Sequence, residues 1–192
     1  LLDGNERARR VLETAAGKAG WGKPMPKGKG RGIAQHSCFG STIAQVAEVS
    51  VNESDGTVRV DRVVAAVDCG PVVNPDPLVA QIEGAVVMGL STALKEQVDF
   101  GRGGATSANF DDYGILRMSE TPDIEVHIVS SREKIGGIGE PGGRYNSRLV
   151  ARMKTPAFKQ AATSKTEADK NTRFGYDRAY FRELSKLAAP II

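Results

Sequence analysis

The chain has 192 residues, 26 Lys and Arg against 23 Asp and Glu, and a formal net charge of +3. That length allows one substantial core, or a core plus an appendage, while two cysteines (Cys38, Cys69) and two histidines (His36, His127) supply neither a disulfide framework nor a conventional zinc site. The charge argues against a general nucleic-acid binder, because residues 1–143 carry 15 basic against 19 acidic side chains and the basic excess sits in residues 144–192, with 11 against 4.

The chain opens Leu-Leu-Asp, with no initiator Met and no leader, which gives the expectation of a fragment or a processed piece. The compartment, cytoplasmic or periplasmic, stays open. Asn5–Lys18 has Ala8, Val11, Leu12 and Ala15 on one face and predicts a short helix ended by Gly17 or Gly20. Trp21 follows as an anchor against the main body. Pro24–Gly32 (PMPKGKGRG) lacks the order of a phosphate loop and reads as a basic flexible connector.

Ile33–Ser41 and Ile43–Val51 read as extended. The imperfect alternation of Ala44, Val46, Val49 and Val51 predicts a half-buried strand with one irregularity. Asn52–Gly56 is turn chemistry, and Thr57–Val63 alternates cleanly, so the two strands form a β-hairpin.

The second strand runs into AVDCGPVVNPDPLVAQIEGAVVMGL (66–90), the stretch around which the chain is organised. Val63–Val67 is a buried strand stopping at the turn Asp68-Cys69-Gly70. Pro71, Pro75 and Pro77 are expected to keep Val72–Asp76 out of a helix. Leu78, Val79, Ile82, Val86 and Leu90 then recur at helical spacing. Gly84 and Gly89 each cost such a helix about 1 kcal/mol relative to Ala, a cost tolerated where something approaches the backbone closely. The strand–loop–helix order also predicts free N–H groups at the helix start, able to hold a phosphate or other electron-rich group. The plain alternative, favoured by the segment alone, is a tightly packed core helix, in which Gln81 and Glu83 stand out. No apolar run approaches the roughly 18 residues needed to span a membrane.

Beyond Leu90 the helix gives way to an extended stretch reaching Phe100, a tight turn at Gly101–Ala105 and a surface loop at Asn109–Arg117. Ile124–Val129 alternates as a strand, with His127 on its polar phase as a satisfied strand histidine. Ile135–Gly143 sets one carboxylate, Glu140, among five glycines and a proline. Alone, it reads as an exposed turn with a solvated glutamate. The functional reading is a backbone bent as only glycine permits, presenting one carboxylate to a site.

Taken in order, RGIAQHSCFGSTIAQVAEVSV, VDRVVAAVDCGPVVNPDPLVAQIEGAVVMGLS, NFDDYGILRMSETPDIEVHIV and GGIGEPG resemble the C-terminal part of the molybdopterin-binding large subunit of the xanthine dehydrogenase/aldehyde oxidase family, in its isoquinoline 1-oxidoreductase branch. The resemblance covers residues 1–143. It implies an α+β fold, mixed strands packed with helices, within part of a molybdopterin-binding domain. It implies molybdenum-dependent hydroxylation of an aldehyde or N-heterocycle with water-derived oxygen. Gln81 would hydrogen-bond the pterin; Gly84 and the turn Asp68, Cys69, Gly70 would supply cofactor-near backbone; Glu140 would be the catalytic base. A dry, apolar setting would raise the base's pKa towards the range useful for proton transfer. The cofactor would be molybdenum-molybdopterin in the cytosine dinucleotide form, with iron–sulfur clusters on a small partner subunit. A non-catalytic binding or scaffold fragment that keeps the fold is the alternative.

After Gly143 the pattern departs from the family. Residues 144–192 are basic, polar and Tyr/Phe-bearing, a divergent tail that a shifted reading frame, a fused segment or divergence would each produce. Asp177–Leu187 could form a helix, with Tyr180, Phe181, Leu184 and Leu187 on one face. A nucleic-acid-binding module would rest on this tail alone.

Overall fold

A computed structural model describes residues 4–139 apart from 102, 108 and 110. The basic tail, its expected helix and Glu140 lie outside the described residues.

The first helix, α1 (Glu6–Lys18), forms where the apolar spacing places it. Asn5 caps it, its Oδ1 accepting the Ala8 N–H at 3.0 Å, and Gly20, at φ +64°, follows its end. The face Ala8, Val11, Leu12, Ala15 is buried as expected. Three long strands follow: β1 (Lys29–Cys38), β2 (Ser41–Val51) and β3 (Val58–Asp68). The second helix, α2 (Pro75–Leu94), leads through the two-residue strands β4 (Phe100–Gly101) and β5 (Gly104–Ala105) and a 3₁₀ turn at Met118–Glu120 to β6 (Asp123–Ile128).

The main sheet has the order β1-β2-β3-β6. The pairs β1·β2 and β2·β3 are antiparallel, while β3·β6 is parallel. The parallel pair needs a long crossover, and α2 provides it. The α+β expectation therefore holds, with a mixed sheet.

Alternate residues of the central strands face opposite layers. Ile33, Ala44, Val46, Val64 and Ala66 pack with Val11, Leu12 and Ala15 of α1. Ile43, Ala47, Val49, Val63, Ala65 and Val67 pack with Leu78, Ile82, Val86 and Leu90 of α2. The expectation that β2 is half-buried is thus corrected: helices cover both faces, and the strand is buried nearly throughout. Its irregularity is present as a register shift at Glu48/Val49, where β3 carries the extra residue Asp61.

Four further expectations change. The second half of the supposed connector, from Lys29 on, is β1 paired to β2, not flexible chain. The extended stretch Ile33–Ser41 turns at Phe39–Gly40, both at positive φ (50° and 77°), a two-residue hairpin tip. The helix α2 starts at Pro75, because proline is well placed in a first turn, where its missing N–H would have no intrahelical partner anyway. At 20 residues α2 is also long and apolar enough by composition to span a bilayer, contrary to the reading of apolar runs. Its Leu78, Ile82, Val86 and Leu90 are nevertheless buried against the sheet, the placement of a core helix.

Candidate functional site

Those sequence-selected residues that are described, Asp68, Cys69, Gly70, Gln81 and Gly84, gather at one end of the sheet, where the β1–β2 tip, the end of β3, the first turns of α2 and the chain after β6 converge. Gln81 and Gly84 lie one turn apart on the exposed side of α2. A Cβ added at Gly84 would meet nothing within 4 Å among the described residues, which leave the helix backbone open there to an approaching group. Among the described residues the Gln81 amide has no hydrogen-bond partner. A Cβ at Gly139 would stand 3.4 Å from Gln81 Oε1. The glycine-rich segment therefore passes beside Gln81 one residue before Glu140.

The turn Asp68-Cys69-Gly70 is placed differently from an open, cofactor-facing backbone. Asp68 is fully buried. Its Oδ1 accepts from Arg7 Nη2 at 2.9 Å, Ser131 Oγ at 2.7 Å and the Gly70 N–H at 3.0 Å. Its Oδ2 is buried with no partner among the described residues. Burial pushes this carboxyl up, but the bonds from Arg7, Gly70 and Ser131 outweigh it and hold the group below the usual carboxylate range. Asp68 is thus an anion with its charge spent inside the protein. The Cys69 carbonyl accepts the Gly136 N–H at 3.0 Å, and burial pushes its thiol pKa up, away from thiolate chemistry. Gly70, at φ +82°, lies under the chain at 133–134: a Cβ there would come within 2.7 Å of the Glu133 carbonyl oxygen. What this turn receives is the segment leading to Glu140.

The start of α2 is corrected as well. Pro75 and Pro77 have no N–H, and the Asp76 N–H is taken by Asn74 Oδ1 at 3.2 Å. The first turn offers no free donors for a phosphate, so the anion-cradle expectation fails on its own prolines.

Several contributors had no signature in the sequence. Arg7 donates to the Gly40 carbonyl at 2.9 Å and to the Asp68 carbonyl at 3.0 Å, besides its ion pair with the Asp68 side chain. Arg10, on the next turn of α1, donates to the Ser130 carbonyl at 2.8 Å. Phe39, the one non-glycine residue at positive φ among those described, gives its carbonyl to the Gly137 N–H at 2.8 Å. A Phe-Gly pair between two extended runs was the only available hint of that tip.

Among the described residues no three His, Cys, Asp or Glu side chains converge on one point. Among the described residues Gln81 has an unpartnered amide one turn from Gly84, with the donor and acceptor chemistry to hold a heterocyclic cofactor, while the side chains of Asp68 and Cys69 are buried within the fold.

A family model described as the molybdopterin cofactor-binding domain matches residues 8–122. The chain belongs to the molybdopterin cofactor-binding domain family. Among curated proteins, this chain is 37% identical over 144 residues to isoquinoline 1-oxidoreductase subunit beta of Brevundimonas diminuta, covering 73% of the chain and 18% of the relative. It is 37% identical over 139 residues to a Gluconacetobacter polyoxogenes protein named membrane-bound aldehyde dehydrogenase [pyrroloquinoline-quinone], covering 70% of the chain and 18% of that relative. The domain thus spans about a fifth of the length of these relatives. Quinoline 2-oxidoreductase from Pseudomonas putida 86 shares its fold, with a TM-score of 0.55 at 24% identity over 63% of this chain and 16% of that one.

Proposed function

We propose that this chain is part of the large subunit of a molybdenum hydroxylase that oxidises an aldehyde or an N-heterocycle with oxygen drawn from water. The observation that carries the reading is the approach of Gly139 to Gln81. It draws the two motifs chosen for cofactor binding and proton transfer to one place, within a fold whose family binds molybdopterin. When bound, the molybdenum cofactor supplies the two-electron oxidation.

Gln81 would hold the pterin through its amide, which can donate and accept at once. Gly84 would let the cofactor lie close to α2. Glu140 would accept the proton of the attacking oxygen, a task that needs an ionised carboxylate within hydrogen-bond reach. Following the isoquinoline 1-oxidoreductase branch, the cofactor is the cytosine dinucleotide form, and electrons leave through iron–sulfur clusters on a small partner subunit.

The test uses the full polypeptide that carries this chain, assembled with cofactor. Glu140→Gln keeps size and hydrogen bonding but cannot take the proton, and should lower kcat by about 10²–10⁴-fold with molybdenum and pterin content unchanged. Gln81→Ala should instead lower cofactor content while the fold survives, since an unpaired buried polar contact costs about 1–3 kcal/mol. Full activity in Glu140→Gln would make Glu140 a turn residue. Metal analysis also separates this reading from a quinone-dependent enzyme, the cofactor named for the Gluconacetobacter relative.

A further inference from the structure

One buried ionic cluster near the candidate site is assigned no role by the proton-transfer reading. Arg7 binds three acceptors on two different turns: the Gly40 carbonyl at the β1–β2 tip, and both the carbonyl and the carboxylate of Asp68 at the end of β3. Asp68 in turn takes the hydroxyl of Ser131, 63 residues further on. Arg10 holds the neighbouring Ser130 carbonyl. One short helix thus grips three separate pieces of chain. A buried ion pair is a poor device for stability alone, because apolar replacements of similar volume are often neutral or better. What it does well is fix geometry.

The chain beyond Ser131 shows what is fixed. Gly136 and Gly137 donate their N–H groups to the Cys69 and Phe39 carbonyls at 3.0 and 2.8 Å. Gly136 lies directly on the tip, so that a Cβ there would overlap Ser41 Oγ and the Gly40 carbonyl. Phe39, in a conformation that L-residues seldom adopt, is kept there by these contacts on both sides. Three residues later the chain passes Gln81.

We propose that Arg7, Asp68 and Ser131 are positioning residues that dock the segment 131–139 onto the Phe39–Gly40 tip and the Asp68–Gly70 turn, and so set where the chain delivers Glu140. The proposal rests on Glu140 being the base. Asp68 acts through this segment and needs no contact with substrate or cofactor.

The experiment compares Ser131→Ala and Ser131→Thr in the full, cofactor-loaded enzyme. Ser131→Ala removes the hydroxyl that ties the segment to Asp68 and leaves the Arg7–Asp68 pair in place, which avoids the unfolding that Asp68→Asn risks. Hydrogen exchange at the Gly136 and Gly137 amides should quicken by roughly 10- to 100-fold, the size expected for losing one hydrogen bond to a charged acceptor, with β2 and β3 amides unchanged. In the same protein kcat should fall with KM and cofactor content held, and Ser131→Thr should restore both exchange and kcat. Unchanged exchange at Gly136 and Gly137 overturns the proposal, as does faster exchange with kcat at the wild-type value. Failure of the base reading shows separately, as full activity in Glu140→Gln.

Discussion

At the scale of single residues, Asp68 carries the clearest electrostatic consequence. Its carboxylate is fully buried, paired with Arg7 and hydrogen-bonded by Ser131 and Gly70. Its folded-state pKa is therefore held below its unfolded value of about 3.9. A depressed carboxyl contributes stability that is fully present above the unfolded pKa. That stability is lost as pH falls through the folded value, because protonation then becomes available to both states. Thermal melts from pH 7 down to acid should show Tm flat at first and falling below about pH 4. Asp68→Asn should start lower, since breaking a buried pair leaves Arg7 uncompensated at a cost of about 3–5 kcal/mol, and its Tm should fall less over the same acid range. Parallel curves for the two proteins would mean that Asp68 does not carry the acid sensitivity.

At the scale of elements, what was legible followed from local pattern, and what was not depended on a distant partner. Helix α1 could be read residue by residue, because the buried side chains Ala8, Val11, Leu12 and Ala15 repeat at helical spacing after an Asn cap. β2 was recognised as a strand and misjudged in burial: alternation reports one covered face, and here α1 and α2 cover both. Helix α2 began before the expected point because the rule that proline ends a helix reverses in the first turn. Gln81 and Glu140 stand out in the sequence as polar groups in apolar or glycine-rich surroundings, but local pattern alone favours a core helix and an exposed turn, and their roles come only with the family resemblance. The Arg7–Asp68–Ser131 cluster does not stand out at all. Its members stand 61 and 63 positions apart, and nothing local marks an arginine that faces a turn rather than solvent.

At the scale of the whole molecule, the surface shows which faces this chain leaves uncovered. Val73 is 96% exposed, Ile135 73%, Met88 64% and Phe39 63%. These are large apolar side chains, not the occasional exposed leucine of any surface. Two of them, Phe39 and Ile135, flank the place where Gly136 rests on Gly40, and Met88 continues the exposed side of α2 that holds Gln81 and Gly84. The relatives are several times longer than this chain, and Phe39, Ile135 and Met88 stand exposed beside residues of the candidate site, while Met118 and Phe100 are exposed as well, at 89% and 81%. Burying a side chain of this size is worth about 1.5–3 kcal/mol, so exposed side chains of this kind favour association wherever they can be covered together. The 192-residue chain on its own should therefore self-associate, with a sedimentation coefficient that rises over the micromolar range. Replacing Met88 and Ile135 together by Ser should shift that rise to higher concentration without lowering Tm, since neither side chain belongs to the buried clusters. A chain that sediments as a monomer throughout would show that these side chains lie too far apart to form one cohesive surface.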